Sequence, residues 1–259
     1  MLTDQSLFEH AGVRIALAGR AGGVSTGPFA SLDTASHVGD DPACVERNRA
    51  ILMEACGCAG APLVVPLQVH GTHVVNVAGA ADAARAQAEA DEGADAVTVT
   101  APGAVALLHS ADCLVLCVVS PTGRFAVAHA GWRGAVAGIA GKAVRALVEA
   151  DRQAEAGACG DPSGYNAYLG PHIGAECFEV SVDIARQFED AFGERAIASY
   201  RHVDLAGAVT VDLIRAGICE HRICDCAICT KCNADAYYSY RAAGGECGRH
   251  ATLAYWKEG

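Results

Sequence analysis

The sequence predicts an α+β fold, a single domain with mixed β-sheets flanked by helices. Predicted strands and helices alternate irregularly instead of repeating one strand–helix unit, and several neighbouring strands are joined by turns short enough for hairpins. Hydrophobic residues make up 52% of the 259 residues, which is ample for a sizeable core. Because neither a repeat nor a linker interrupts the chain, we expect one domain over residues 1–259.

The first half of the chain carries one clear helix start and several strand patterns. Asp41 is suited to cap a helix and Pro42 to occupy its first position, and apolar residues then follow at helical spacing. Residues 60–79 are typical of two short strands joined at Gly71. The alanine- and aspartate-rich stretch 79–96 predicts a surface helix or loop, and strands resume at 96–100 and 104–109.

A hairpin and a helix are predicted in the middle of the chain. Residues 114–120 form a continuous apolar run, typical of a strand buried on both faces, and Ser-Pro-Thr-Gly at 120–123 is a turn signature before a return strand. Residues 131–150 have one apolar stripe at helical spacing and predict a single amphipathic helix. Two more helices and a final strand are predicted in 181–192, 202–217 and 251–256.

The charge and the termini limit the classes of partner. A net charge of −11 and a pI near 5.3 argue against nucleic acid and anionic membranes as partners, but they allow a small anion in a local basic pocket. We find no signal peptide and no uninterrupted apolar run of about 18 residues, so we expect a cytoplasmic protein, with a monomer favoured. Thirteen cysteines, an odd number, predict reduced thiols or metal ligands.

The hairpin brings a cysteine and a histidine together. With the turn at 120–123, Cys113 falls opposite Ala130, and with a turn one residue longer Cys113 and His129 are offset by two. Both registers place them roughly 5–8 Å apart at Cβ, close enough to share a metal ion or to form a thiolate–imidazole pair. The alternative is a buried free cysteine beside a core histidine. His70, at another predicted strand end, would complete a His₂Cys set for Zn²⁺ with an open fourth position.

Arg133 stands where the predicted helix after His129 begins. A helix N-terminus with free N–H groups beside an arginine would be suited to bind an anion, and the alternative is an ordinary exposed arginine.

Five motifs carry a resemblance to a known family. They are QVHG, HSADCLVL, AVAHAGWRG, LGPHIGAECFEV and YYSYRAAGGECGRHATLAYW, and residues 20–52 fit as well. Together they resemble the laccase-domain or polyphenol-oxidase family, whose members are also described as peptidoglycan-editing factors and purine nucleoside phosphorylases. The resemblance spans nearly the whole chain. It implies a sandwich of mixed sheets and helices similar to cysteine hydrolases.

The resemblance also implies an activity and a metal site. The activity is zinc-dependent phosphorolysis of adenosine, inosine, guanosine and methylthioadenosine, with adenosine deamination as a second reaction. The metal ligands implied are His70, Cys113 and His129, the same set that the spacing suggests. Purine nucleosides and phosphate are therefore the expected small-molecule partners.

Further residues are assigned roles in this reaction. We expect Cys113, Asp112 and Arg133 to be catalytic, with Asp112 as a proton shuttle for deamination and Arg133 in the phosphate cradle. The candidate substrate-binding residues, three of them at family motif positions and the fourth in a Gly/Pro loop, are Arg20, Asn48, Arg241 and His172.

The sequence departs from the family pattern at two places. His109 stands where the family usually has threonine, and Arg241 is followed by Ala242 instead of a second arginine. The segment 224–232 is also unusually rich in cysteine. Cys226-x-x-Cys229 and Cys229-x-x-Cys232 have metal-ligand spacing, with His221 and Cys247 available, but we favour free thiols there.

Three other functions stay open at this stage. Copper-dependent polyphenol oxidation is disfavoured because a multicopper centre needs many histidines and the ten here include no His-x-His pair. A metal-free hydrolase or amidase would use Cys113 as nucleophile and His129 as base, which would suit peptidoglycan editing. A non-enzymatic metal-binding module would need a fourth protein ligand.

Overall fold

Two β-sheets face each other and helices cover both outer faces in the computed structural model, which describes residues 1–154 and 160–257. One sheet has four strands in the order β1-β12-β5-β2 and the other has six in the order β11-β8-β6-β7-β4-β3. The strands of the four-stranded sheet are β1 (Val13–Leu17), β2 (Leu63–Val64), β5 (Val105–Ser110) and β12 (His250–Trp256). Those of the six-stranded sheet are β3 (Val74–Val77), β4 (Ala96–Val99), β6 (Leu114–Val119), β7 (Phe125–Ala130), β8 (Asn166–Leu169) and β11 (Ile223–Asp225). A separate two-stranded ribbon is made of β9 (Ile197–Ser199) and β10 (His202–Val203).

Eight α-helices lie in the described part of the chain. They are α1 (Gln5–Ala11), α2 (Pro42–Ala55), α3 (Ala83–Ala90), α4 (Trp132–Val136), α5 (Ile139–Gln153), α6 (Val182–Phe192), α7 (Leu205–Arg215) and α8 (Tyr240–Ala243). None of the described helices is long and apolar enough to span a membrane.

Both large sheets are mixed, which confirms the predicted α+β class. The pairs β2–β5, β3–β4 and β8–β11 are parallel, and the other pairs within the two sheets are antiparallel. Parallel and antiparallel pairs coexist because tight hairpins join antiparallel neighbours, whereas longer connections, such as the one through α3 between β3 and β4, join parallel ones.

The residues of β6 show how the layers are built. Successive side chains of a strand point to opposite faces. Leu114, Leu116 and Val118 accordingly lie in the core beneath α5, α6 and α7, whereas Val115, Cys117 and Val119 lie in the core between the two sheets. The continuous apolar run is thus buried on both faces, as predicted. On the opposite side of the molecule, α2 covers the outer face of the four-stranded sheet.

The helix predictions are partly confirmed. Asp41 caps α2, its carboxylate accepting a hydrogen bond from the Ala43 amide at 2.9 Å. The single helix expected over 131–150 is wrong, because Gly138 adopts a left-handed conformation (φ 77°) that ends α4 and separates it from α5. The stretch 79–96 forms α3, whose buried alanines pack into the core between the sheets instead of lying on the surface.

The hairpin has the register of the longer turn. Leu114 pairs with Ala130 and Val115 with His129, so Cys113 and His129 are offset by two positions. The chain enters this hairpin from β5, in the other sheet, through residues 111–113. The two short strands expected around Gly71 are present as β2 and β3, but they belong to different sheets.

Candidate metal centre and its cavity

Three side chains from separate parts of the chain meet where the two sheets meet. The metal-binding atoms of His70, Cys113 and His129 all lie within 4.8 Å of one another. His129 is on β7, Cys113 directly precedes β6, and His70 is on the loop before β3. His70 has a left-handed backbone (φ 59°), which is uncommon for a residue with a side chain and marks a tightly specified loop. The structure therefore brings together the three residues that spacing and resemblance had selected.

Asp95 fixes two of these residues and was missed by the sequence analysis. Its buried carboxylate accepts a hydrogen bond from His129 Nδ1 at 2.8 Å and from the backbone amides of His70 and Gly71 at 3.0 and 2.6 Å. A metal-binding histidine commonly donates its other ring N–H to a carboxylate in this way. The available signal was an aspartate directly before the apolar strand β4.

The ionisation states of His70, His129 and Asp95 depend on one another. Burial lowers the pKa of His129, but the charge of Cys113 and the hydrogen bond with Asp95 raise it to about 9 in the metal-free chain. Burial would raise the pKa of Asp95, yet the hydrogen bond from His129 and those from backbone amides hold it below its usual value. Burial and the nearby His129 lower the pKa of His70. The site therefore favours a neutral His70 beside a closely paired cysteine, histidine and aspartate.

The unpaired atoms of this group fit a metal ion. His70 Nδ1 is buried and has no hydrogen-bond partner. The His70 and His129 rings stand edge to face, with centroids 4.8 Å apart. A Cβ atom at Gly131 would lie 2.2 Å from His70 Nδ1, so only glycine leaves room for the ring. Two imidazoles and one thiol are the donor types that zinc prefers, and three protein ligands leave a position open.

The three residues line a cavity of about 300 Å³. Arg241 and Arg249 also line this cavity, and Phe178 and Tyr240 contribute aromatic surface. His109 also lines the cavity, and burial together with nearby Arg49 holds its pKa well below the usual value, so that it is neutral. Arg249 was not selected from the sequence, although it lies in the motif at 237–256 that carries the family resemblance, which was the available signal.

Asp112 lines the cavity but does not present a free carboxylate. Its Oδ1 accepts from Thr230 Oγ1 and its Oδ2 from the backbone N–H of Arg241, both at 2.7 Å. Its carbonyl oxygen accepts from the Ile173 amide at 2.8 Å. The geometry therefore favours a positioning role over the predicted role as proton shuttle, because Asp112 ties the residue next to it, Cys113, to the segments that carry its three partners.

Arg133 does not line the cavity, although its charge is close enough to His70 to contribute to the lowering of that residue's pKa. It is exposed, and its guanidinium stacks on the Trp132 ring at 4.3 Å from the ring centroid. The helix that begins there is only five residues long. Neither part of the predicted phosphate cradle, the arginine or the helix end, lines the cavity.

The other predicted substrate-binding residues are distributed differently. Arg241 lines the cavity, whereas Arg20 and Asn48 lie outside it and form hydrogen bonds within the fold. Arg20 donates to the carbonyls of Ala30 and Ala234, and Asn48 is fully buried among backbone groups. His172 is buried, its Nδ1 bonds to the Gly170 carbonyl oxygen, and it faces a neighbouring cavity. The geometry thus favours Arg241 alone among the four.

A second group of possible ligands lies in the described part of the chain. It consists of Glu176, Cys177, Cys229 and Cys232, whose metal-binding atoms lie within 4.8 Å of one another. Cys229 and Cys232, the pair with metal-ligand spacing, therefore lie in one possible ligand group, and both are free thiols as favoured from the sequence. The other residues considered for it are not part of this group: Cys226, His221 and Cys247.

Comparison with known proteins agrees with this architecture. A family model described as multi-copper polyphenol oxidoreductase laccase matches residues 14–257. A purine nucleoside phosphorylase from Deinococcus radiodurans is 36% identical over 235 residues, covering 89% of this chain and 84% of the relative. The purine nucleoside phosphorylase YfiH of Escherichia coli is 32% identical, with 89% and 88% covered. The crystal structure of YlmD from Geobacillus stearothermophilus superimposes with a TM-score of 0.84 at 30% identity, covering 96% of this chain and 93% of that one. The chain therefore belongs to the laccase-like YfiH family.

Proposed function

We propose that the protein is a zinc-dependent purine nucleoside phosphorylase acting on adenosine, inosine, guanosine or methylthioadenosine with inorganic phosphate. The observation that carries the proposal is one cavity lined by His70, Cys113 and His129 together with two arginines. The relatives from Deinococcus radiodurans and Escherichia coli, both named purine nucleoside phosphorylases, support the same reaction class.

His70, Cys113 and His129 would hold the metal, and Asp95 would orient His129. Because the Asp95 carboxylate accepts from His129 Nδ1, that nitrogen carries the proton and Nε2 is left as the donor atom for a metal. A bound zinc ion would supply Lewis acidity next to the substrate.

Arg241 and Arg249 would bind the phosphate that attacks C1′ of the ribose. The attacking anion needs cations that hold it in place and offset its charge, and these two side chains face the cavity. Arg241 donates through its guanidinium to the Glu179 carbonyl at 3.2 Å, and its backbone N–H is held by Asp112. This pair replaces Arg133, which is exposed and outside the cavity wall.

The purine would occupy the apolar part of the same cavity. Phe178 and Tyr240 offer aromatic surface for a flat base. The wall residues His37 and His109 are candidates for hydrogen bonds to the base, and the neutral state of His109 allows it to be either donor or acceptor.

A product assay on purified protein tests this function. The protein is incubated with inosine or adenosine, with and without phosphate, after its zinc and copper contents have been measured in the same batch. We expect phosphate-dependent release of free purine and ribose 1-phosphate, and inosine formed from adenosine without phosphate would add the deaminase activity. If zinc-loaded protein leaves every nucleoside unchanged, the proposal is wrong. Copper with oxidation of phenols would point to the polyphenol oxidase alternative instead.

A metal-free hydrolase is the second candidate, and one specific observation favours it. Asp95, His129 and Cys113 form a hydrogen-bonded chain, the arrangement in which a histidine activates a cysteine nucleophile and a carboxylate orients the histidine. An amide in a peptidoglycan precursor would be a substrate for such a group. Chelation distinguishes the two candidates, because removing zinc abolishes the phosphorylase but frees the thiolate of a hydrolase.

A further inference from the structure

We propose that the chain has a second, structural zinc site formed by Cys177, Cys229 and Cys232, with Glu176 as the fourth ligand. We call these four residues the thiol cluster. It lies outside the cavity described above, and its existence does not depend on which reaction that cavity catalyses.

The topology of the sheet brings the cluster together. Strands β8 and β11 are parallel neighbours, with Ala167 opposite Ile223 and Leu169 opposite Asp225. The loops that follow them therefore leave the sheet at the same edge and in the same direction. Backbone pairing continues beyond the strands, since the His172 amide donates to the Ile228 carbonyl and the Thr230 amide to the His172 carbonyl. Residues far apart in the sequence thus reach one place without any metal.

The distances within the cluster are those of a metal site. The sulfur atoms of Cys177 and Cys232 are 3.5 Å apart, and Cys232 Sγ is 3.6 Å from a Glu176 carboxylate oxygen. Tetrahedral zinc with Zn–S bonds of about 2.3 Å separates its ligand atoms by roughly 3.8 Å. The side chains therefore already have nearly the spacing that the ion requires.

One further contact and the exposure of two ligands suit a metal site. The backbone N–H of Gly174 donates to Cys229 Sγ at 3.2 Å and so holds this sulfur in place within the cluster. Cys232 and Glu176 are exposed, so an ion in solution can reach the cluster. Three thiolates and a carboxylate at this separation repel one another strongly unless a cation lies between them.

The cluster is connected to the wall of the catalytic cavity. Its loops carry Ile173 and Phe178, which line that cavity, and Thr230, which holds the Asp112 carboxylate. A zinc ion in the thiol cluster would join the two loops and so fix this wall. Its role is therefore structural, since all four ligands come from the protein and none faces the cavity.

Zinc stoichiometry in matched cysteine variants tests the proposal. Protein loaded with zinc and freed of excess ion should carry two zinc ions per chain, Cys232→Ser should carry one, and Cys224→Ser should carry two. Cys224 is the matched control, because it is an exposed cysteine of the same segment outside the cluster. Two zinc ions in Cys232→Ser would overturn the second site. One zinc ion in the native chain and none in Cys232→Ser would keep the second site and contradict the proposed function alone.

Thiol protection in the unmodified chain provides a second test that needs no variant. Zinc should slow alkylation of Cys177, Cys229 and Cys232 by N-ethylmaleimide at least tenfold, read by peptide mass spectrometry, while Cys224 reacts at the same rate with and without the ion. The site would be refuted if zinc left the alkylation rates of Cys177, Cys229 and Cys232 as unchanged as that of Cys224. A Cys177–Cys232 disulfide in freshly purified protein that binds only one zinc would also refute it.

Discussion

Asp95→Asn removes the carboxylate that both metal-binding histidines depend on. In the native chain one oxygen accepts from His129 Nδ1 and the His70 amide, and the other from the Gly71 amide at 2.6 Å and the Val69 amide at 3.2 Å. An asparagine keeps one acceptor oxygen and turns an N–H₂ group toward the remaining two donors. Two of the four hydrogen bonds are therefore lost.

The size of the effect follows from these bonds. A hydrogen bond to a charged group contributes about 1.5–3 kcal/mol, so losing two lowers the free energy of unfolding by about 3 kcal/mol or more. A domain with a stability of about 5–15 kcal/mol can still fold after such a loss. Because His129 loses its fixed orientation, zinc affinity at the His70, Cys113 and His129 group should fall about 10–100-fold.

The measurement is a zinc titration against a chromophoric chelator, with urea unfolding of the metal-free protein in parallel. Asp190→Asn, the same substitution on the exposed face of α6, is the control and should change neither quantity measurably. Zinc affinity in Asp95→Asn equal to that of the native chain would refute the assignment of Asp95 as the residue that orients the ligand.

Three further predictions concern the cavity and its surroundings. Gly131→Ala should displace His70 and lower zinc affinity at least tenfold in an equilibrium titration. Gly164→Ala is the control and should leave zinc affinity unchanged, because a Cβ there meets its nearest atom at an ordinary 3.5 Å. Equal zinc affinities of the two variants would contradict the packing argument. Arg241→Met should raise KM for phosphate about tenfold or more with little change in KM for the nucleoside, and unchanged steady-state phosphate kinetics would remove this residue from the anion site. Burial raises the pKa of Asp33 to about 6 in the folded protein, from about 3.9 in the unfolded chain. Between these pH values the folded state binds one more proton than the unfolded state. The free energy of unfolding therefore rises as the pH falls through 6. Asp33→Asn should flatten this part of the pH profile in urea unfolding, and a slope identical to that of the native chain would show that Asp33 is not the source.

The sequence was informative where the relevant residues are close along the chain or belong to a recognisable motif. The proximity of Cys113 to His129 follows from the length of one turn, and the burial of β6 on both faces follows from its apolar run. The capping of α2 is likewise a local property of Asp41 and Pro42.

What could not be predicted depends on contacts between distant segments. Asp95 acts on His129 because β4 is the antiparallel neighbour of β7, and neither residue reveals this by itself. The sulfur atoms of Cys177 and Cys232 lie close together only because β8 and β11 are parallel neighbours. Arg133 was assigned to the N-terminus of a long helix, but that helix, α4, has only five residues. The left-handed Gly138, which separates α4 from α5, was not recognised as a break.

The central claim is that one zinc ion held by His70, Cys113 and His129 is required for phosphorolysis. Cys113→Ser and Cys44→Ser test it most directly, because both exchange one partly exposed cysteine for serine and only Cys113 belongs to the proposed site. We expect Cys113→Ser to fold, to lose one zinc ion per chain and to lose at least 99% of the phosphate-dependent conversion of inosine to hypoxanthine, a loss of about 2.7 kcal/mol of transition-state stabilisation or more. Cys44→Ser should keep both zinc and activity. Full activity in Cys113→Ser, or activity lost while its zinc content is unchanged, would contradict the account.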